Sequence, residues 1–306
     1  MPAPIGRFAP TPSGRMHLGN VFAALIAWLS VRSRNGTLVL RMEDLDIQRT
    51  SAEYAQILRE DLLWLGLNWD WETDPQSRRS AIYQEYFDRL AQMGLLYPCY
   101  CTRSQLHSVN APHLSDGTYV YPGTCRNLTA SQQTEFHRAP AWRLRVPDRE
   151  WSVQDLLQGI YRENLATDCG DFVVRRADGL FVYQLAVTVD DALAGVTEVV
   201  RGVDLLSSAP RQMYLQELFS FPHPTYGHVP LLVAPDGRRL SKRDRDLDLG
   251  HLRTHCTPEQ LIGILAHAAG LIPRPQAISA KELASEFSWK KLQRQSICLD
   301  AAALTR

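Results

Sequence analysis

Apolar and polar positions along the first hundred residues alternate between short β-like runs and longer stretches of helical period. Residues 5–9 read as a strand, 17–34 as a helix, 37–41 as a strand, and 51–65 and 80–94 as amphipathic helices. Strand, helix, strand, helix predicts a parallel α/β sheet. From Tyr97 to about Ala166 the texture changes to cysteine, proline, glycine and polar residues, as expected of an insertion with its own local organisation. Strand-like patterns return at 171–174 and 180–189, with the hairpin-turn pair Asp178-Gly179 between them. A helix is predicted over 205–219, then an apolar stretch at 229–234 and a turn at Asp236-Gly237. Residues 258–270 and 281–293 read as two helices, with Pro273 and Pro275 breaking the chain between them. There is no internal repeat and no long low-complexity tract.

Composition narrows the class without choosing a function. The 306 residues suffice for one large domain or two smaller ones, and 45% hydrophobic with 22% charged residues is an ordinary globular profile. Lys+Arg and Asp+Glu both number 33, so nonspecific coating of nucleic acid, which needs an excess of basic residues, is not expected. A local basic face remains open. The longest apolar run, 21–29, falls far short of the roughly 20 residues that cross a bilayer. The opening MPAPIGRFAP lacks the apolar segment of a secretory signal. Six cysteines, three clustered and three at Cys169, Cys256 and Cys298, fit a reduced compartment better than a disulfide framework, so a cytoplasmic protein is expected.

The first segment with chemistry is Arg7-Phe8-Ala9-Pro10-Thr11-Pro12-Ser13-Gly14-Arg15-Met16-His17-Leu18-Gly19-Asn20, which ends a strand, turns, and opens a helix. Unpaired backbone N–H groups and the positive helix end then converge where an anion is welcome. His17 and Asn20, on the first helical turn, can donate to phosphate oxygens, and Gly19 leaves room for a flat group against the backbone.

These residues resemble the HIGH region of class I aminoacyl-tRNA synthetases. Arg7-Phe8-Ala9-Pro10 with Arg41-Met42-Glu43-Asp44-Leu45-Asp46 is similar to the glutamyl branch in particular. Arg239-Leu240-Ser241-Lys242-Arg243 resembles that class's KMSKS loop, and 190–202, from Asp190-Asp191 to Arg201-Gly202, resembles another glutamyl-synthetase block. The departures are small: Asn20 stands where the name motif has His, and Gln184 where many relatives have Asn.

The resemblance implies an α/β fold, the Rossmann-like parallel-sheet catalytic domain of that class. Its first half is expected at 1–96, a zinc-containing insertion at 97–166, the second half with the KMSKS-like loop at 167–250, and a short helical C-terminal region at 251–306. The implied chemistry is attack of glutamate's carboxylate on the α-phosphorus of ATP, with pyrophosphate leaving. Positioning and electrostatic stabilisation are the main demands of such a step. His17, Asn20 and Lys242 are the catalytic candidates, and Pro12, Gly14, Gly19 and Ser241 join them around ATP. Mg²⁺ is expected with the nucleotide. For a small dicarboxylic amino acid, Arg7 and Arg201 can pair with carboxylates in bidentate fashion, Glu43 can accept from an ammonium, and Tyr183 can add a neutral hydrogen bond. The resemblance implies these four as the glutamate pocket, with Ala9 and Thr11 beside them.

Cys99, Cys101 and Cys125 lie in the glycine- and proline-rich insertion, a thiol set suited to tetrahedral Zn²⁺. A fourth ligand is required. Chemistry alone nominates His107 or His113; the resemblance to shortened glutamyl-synthetase homologues that act on queuosine implies Tyr121, four residues before Cys125. The site is expected to be structural, because an insertion this poor in apolar residues needs a staple.

Only about sixty residues follow Lys242, too few for the helical anticodon reader of ordinary glutamyl-tRNA synthetases. That length resembles the glutamyl-Q tRNA(Asp) synthetase family, which activates glutamate without tRNA and esterifies it to queuosine in the anticodon loop of tRNA(Asp). The expected partners are therefore ATP, L-glutamate and queuosine-bearing tRNA(Asp), with no membrane, for a monomer carrying a basic rim near its cleft. Two alternatives stand beside this reading: a truncated glutamyl-tRNA synthetase charging the tRNA 3′ end, and a noncatalytic RNA-binding paralogue.

Overall fold

A computed structural model describes residues 2–108, 120–235, 237 and 248–299. The strands are β1 (Ile5–Phe8), β2 (Thr37–Leu40), β3 (Trp71–Glu72), β4 (Leu96–Cys99), β5 (Ala141–Leu144), β6 (Glu150–Asp155), β7 (Gly159–Asn164), β8 (Phe172–Arg175), β9 (Glu198–Gly202), β10 (Thr225–Val229), β11 (Leu232–Val233) and β12 (Ile297–Cys298). The helices are α1 (Leu18–Arg32), α2 (Ala52–Trp64), α3 (Ser80–Gln92), α4 (Arg103–Ser108), α5 (Ala130–Gln133), α6 (Tyr183–Leu193), α7 (Ser208–Phe219), α8 (Leu249–Leu252), α9 (Pro258–Ala268) and α10 (Ala280–Glu286).

The main sheet runs β3-β2-β1-β9-β10-β6-β7, with every pair parallel except the β6–β7 hairpin. The chain builds outward from β1 through β2 to β3, and later from β9 to β10 on the other side. The order therefore reverses between β1 and β9, and open α/β sheets place ligands beyond the carboxyl ends of their strands at such a reversal. Helix α1 is apolar on nearly all sides and buries Phe22, Leu25, Ile26 and Leu29 completely or almost so. It lies so close to β1 that any side chain at Gly6 would run into Val31. On its other side α9, α10 and the segment around Trp289 complete one continuous core, and the Trp289 indole donates to Ser30 Oγ at 2.9 Å. No helix among the described residues is long and apolar enough to cross a membrane.

Helix starts follow ordinary capping rules: Ser51 caps α2, and Thr257 and Ser279 form capping boxes with Gln260 and Glu282. Two expectations from the sequence pattern need correction. The 180–189 stretch makes only a single antiparallel bridge, Arg175 with Phe181, and then becomes helix α6. Its residues 185–191 are all buried, so the helical period is invisible and the β-branched run Val187-Thr188-Val189 imitates a strand. The helix predicted over 281–293 stops at Glu286, because the chain turns extended at Phe287 to seat Trp289 against Gly227.

The 97–166 segment is shared between two sheets. Strand β5 joins β4 and β8 in a small antiparallel sheet, while the β6–β7 hairpin docks on β10 of the main sheet through Tyr226 and Asp155.

Candidate active site and metal cluster

A cleft of about 350 Å³ opens at the reversal point of the sheet. Its walls come from the carboxyl ends of β1, β2 and β9, the loop after β10, and the N-terminus of α1. The loop between β1 and α1 is pinned on both sides, since Pro10 O accepts from Glu43 N and Pro12 O from Ser51 N, each at 3.0 Å. His17 is the N-cap of α1 rather than a residue of its first turn, and its Nδ1 accepts from the Gly19 amide at 3.1 Å. The neutral imidazole therefore carries its proton on Nε2 and is a donor there. The flat group that Gly19 accommodates is this imidazole: an added Cβ would lie 2.9 Å from His17 Cε1.

Arg7, Ala9, Thr11, Gly14, His17, Gly19, Asn20, Glu43, Tyr183 and Arg201 all line this cleft. Pro12 is buried and does not. Ser241 and Lys242 lie outside the described residues. Just beyond them, Asp248 pairs with His17 in an antiparallel bridge, and Leu249 N donates to Met16 O at 3.0 Å. Asp248 and Leu249 are therefore anchored to the end of the loop that leads into α1.

The two pocket arginines are held by different means. Arg7 directs Nε at Asp191 (3.4 Å) and gives Nη1 to the Val200 carbonyl (3.1 Å). Asp191 also receives Arg41 Nη1 at 2.6 Å, and Arg41 in turn donates to Glu43 at 3.1 Å. Burial works against the Asp191 carboxylate, but Arg41 and Arg7 hold it below the usual range. Glu43 goes the other way: burial pushes its carboxyl up, and Arg41 and Arg7 offset this only in part. The neighbouring Asp190 does not line the cleft and takes Arg79, Gln76 and Tyr83 at 2.7–2.8 Å, tying α3 to α6. Arg201 donates Nε to His228 and Nη1 to Gln212 and Tyr183, so the bidentate use foreseen for it does not fit: Nη2 alone is buried with no protein partner.

Sequence reasoning quoted Arg41, Asp190 and Asp191 only as motif letters, and it passed over Asp155, Gln212 and His228. A buried Asp-Asp pair inside an apolar helix was a usable signal for the first group. Nothing local signals the second.

A second cleft of about 760 Å³ adjoins the first and shares Thr11, Ser13, Glu43 and Tyr183 with it. Its outer wall carries Arg49, Arg176 and Asp46, with Arg176 Nη1 3.5 Å from the Asp46 carboxylate.

Away from the cleft, the sulfurs of Cys99, Cys101 and Cys125 lie within 4.8 Å of one another. The Tyr121 hydroxyl stands 3.5 Å from Cys99 Sγ and 3.9 Å from Cys101 Sγ, and accepts from the Cys125 amide at 2.8 Å. Arg143 donates Nε to Cys99 Sγ at 3.2 Å and stacks over the Tyr121 ring at 3.6 Å. Burial and the neighbouring thiols push Cys101 up to about 12, whereas the Arg143 charge and hydrogen bonds outweigh burial and lower Cys99. Three convergent sulfurs of this kind could hold one divalent cation, and burial with the Cys99 hydrogen bond pushes the neighbouring Tyr121 hydroxyl up as well. The His107 side chain and all of His113 lie outside the described residues.

Residues 5–295 match the family model described as "tRNA synthetases class I (E and Q), catalytic domain". The chain belongs to this family of class I tRNA synthetases. A relative from Symbiobacterium thermophilum, named Glutamyl-Q tRNA(Asp) synthetase, is 44% identical over 98% of this chain and 97% of its own length. One of the same name from Nitratidesulfovibrio vulgaris is also 44% identical over the same shares. Among solved structures, a glutamate tRNA ligase from Elizabethkingia meningosepticum in complex with its amino acid superposes with a TM-score of 0.83 at 25% identity, over 99% of this chain and 68% of that one. With membership of this class I family come the Rossmann-like sheet and ligase activity.

Proposed function

We propose that the protein activates L-glutamate with ATP in the absence of tRNA and then transfers the glutamyl group to queuosine in the anticodon loop of tRNA(Asp). The observation that carries this reading is the near full-length correspondence, at 44% identity, to relatives named for that reaction. The cleft supports it with charges of both signs for a small dicarboxylic amino acid: Arg7, Arg201 and Glu43 all line it.

In the first step a glutamate carboxylate oxygen bonds to the α-phosphorus, the bond to the β-phosphate bridging oxygen breaks, and pyrophosphate leaves. His17 donates from Nε2 to the phosphates above the positive end of α1, aided by Asn20, while Gly14 and Gly19 line the backbone beneath them. Lys242 and Ser241 are assigned to the departing pyrophosphate, and Mg²⁺ accompanies ATP. Arg7, Arg201, Tyr183 and Glu43 orient glutamate, with Ala9 and Thr11 on the wall beside it. In the second step a hydroxyl oxygen of the queuosine cyclopentenediol bonds to the acyl carbon, the acyl–phosphate C–O bond breaks, AMP leaves and the hydroxyl proton passes to solvent. The adjoining cleft, with Arg49 and Arg176 on its wall, is the route by which the RNA base reaches the shared residues Thr11, Glu43 and Tyr183.

Cys99, Cys101, Cys125 and Tyr121 are assigned to one structural Zn²⁺, which when bound cross-links β4 to the following loop.

Glutamate-dependent ATP–pyrophosphate exchange without RNA, followed by transfer of labelled glutamate to queuosine-containing but not queuosine-free tRNA(Asp), tests the reading. Exchange that requires tRNA(Glu) favours 3′-end charging instead, and no exchange at all favours a noncatalytic paralogue.

A further inference from the structure

We propose that Asp155 and His228 are positioning residues that lock the Arg201 guanidinium in the orientation needed to receive a substrate carboxylate. The inference rests on the glutamate reading of the cleft given above.

The three residues form a buried line. Asp155 Oδ2 lies 2.6 Å from His228 Nδ1, and Arg201 Nε lies 3.0 Å from His228 Nε2. All three side chains are at most 5% exposed, and His228 is fully covered. A guanidinium can only donate, so His228 Nε2 must be the acceptor, and its proton must sit on Nδ1 facing Asp155. Burial and the nearby Arg201 charge push the His228 imidazole down to about 4, so it is neutral near pH 7. The carboxylate that sets this tautomer is itself fixed: Asp155 Oδ1 accepts from the Leu157, Gln158 and His228 amides at 2.9, 2.8 and 3.2 Å.

The sheet delivers this line directly. Arg201 on β9 and His228 on β10 are register partners, and β6 docks on β10 through Asp155 and Tyr226. The hairpin inserted between the two halves of the catalytic chain thus supplies a group that acts on the cleft without lining it.

The chemistry explains why an imidazole stands between the two charges. A carboxylate bonded straight to Arg201 would neutralise the cation that the substrate needs. A neutral ring holds Nε by a hydrogen bond and keeps the negative charge one ring away. Gln212 and Tyr183 take Nη1 at 2.8 and 3.3 Å, so the guanidinium plane is held on two of its nitrogens. Nη2 is left without a protein partner, the one unspent nitrogen of a guanidinium that lines the cleft. Preorganised donors of this kind lower the ordering cost of binding.

The test is glutamate-dependent ATP–pyrophosphate exchange on the full chain, with KM measured separately for glutamate and for ATP. The variants are His228→Leu, His228→Gln and Asp155→Asn. Leu removes the acceptor, Gln keeps an acceptor and a donor, and Asn frees the ring to place its proton on Nε2, against the Arg201 N–H. The expected result is a glutamate KM raised roughly 10–100-fold in His228→Leu and Asp155→Asn, an ATP KM within about twofold of wild type, and recovery of most of the loss in His228→Gln. An unchanged glutamate KM in His228→Leu overturns the proposal, as does an equal rise in both KM values that Gln does not relieve. If the Leu variant fails to fold, Asp155→Asn decides by the same criterion. Wild-type protein without glutamate-dependent exchange defeats the functional reading; wild-type exchange with an unmoved KM in the variants defeats this inference alone.

Discussion

His17 Nδ1 accepts from the amide of Gly19, so the residue that caps helix α1 is also one that lines the cleft. A single imidazole thus caps the helix and borders the cleft, and its tautomer follows from the cap.

Gly19→Ala disturbs the cap and the cleft wall together. Alanine near a helix start favours the helix by up to about 1 kcal/mol over glycine, yet its Cβ would press on His17 Cε1 from 2.9 Å. The displaced ring also weakens its cap, which offsets that gain, so the expected outcome is little net change in thermal stability with glutamate activation reduced roughly 10²-fold, as a displacement of about 1 Å can cause. Calorimetric melting and pyrophosphate exchange on the same preparation check it.

Glu43 carries a pH prediction. Burial raises its pKa in the folded protein, and the ionised form is the one that accepts from an ammonium. The acid limb of kcat/KM for glutamate is therefore expected above the ordinary carboxylate range, with activity lost as pH falls through it. The stability sign is the reverse: the folded state holds this proton more tightly, so ionised Glu43 costs stability that would be regained below its unfolded pKa. Glu43→Gln should melt higher than wild type at pH 7, with that advantage shrinking on acidification, while glutamate activation falls at least about 30-fold.

Asp191→Ala should be among the most destabilising single changes in the chain. It removes the 2.6 Å partner of Arg41, a completely buried cation, and also releases Arg7. Breaking a buried pair from one side costs about 3–5 kcal/mol, readable by urea unfolding. Asp191→Asn, which keeps the shape but not the charge, should lose less stability and still weaken glutamate binding.

Protein purified without chelator is expected to hold about one zinc per chain, and a content below about half an equivalent would count heavily against the site. Cys101→Ser should lose the metal and expose the β4–β5 region to proteolysis, leaving the main sheet intact. Tyr121→Phe removes only an oxygen donor and should bind zinc more weakly rather than not at all.

The order of strands and helices around the cleft could be read from the chain because amphipathic period, capping residues and turn pairs are local properties. The residues at the strand ends, Arg7, Glu43 and Arg201, were legible for the same reason: each sits in a short motif. Legibility ended where a side chain's meaning depends on a partner far along the chain. The 180–189 run reads as a strand because both its faces are covered, and only packing against α3 and α7 makes it helix α6.

The sequence by itself determined the α/β class, the strand–loop–helix turn around His17 and the thiol cluster, since their residue types act over a few neighbours. Tertiary structure alone decided that Asp191 serves Arg7 and Arg41, that Asp155 reaches Arg201 through His228, and that Gly19 makes room for His17. The physical reason is that a buried charge must be matched by whatever the fold brings beside it, and Asp155 and His228 meet across 73 residues of sequence only because β6 docks on β10.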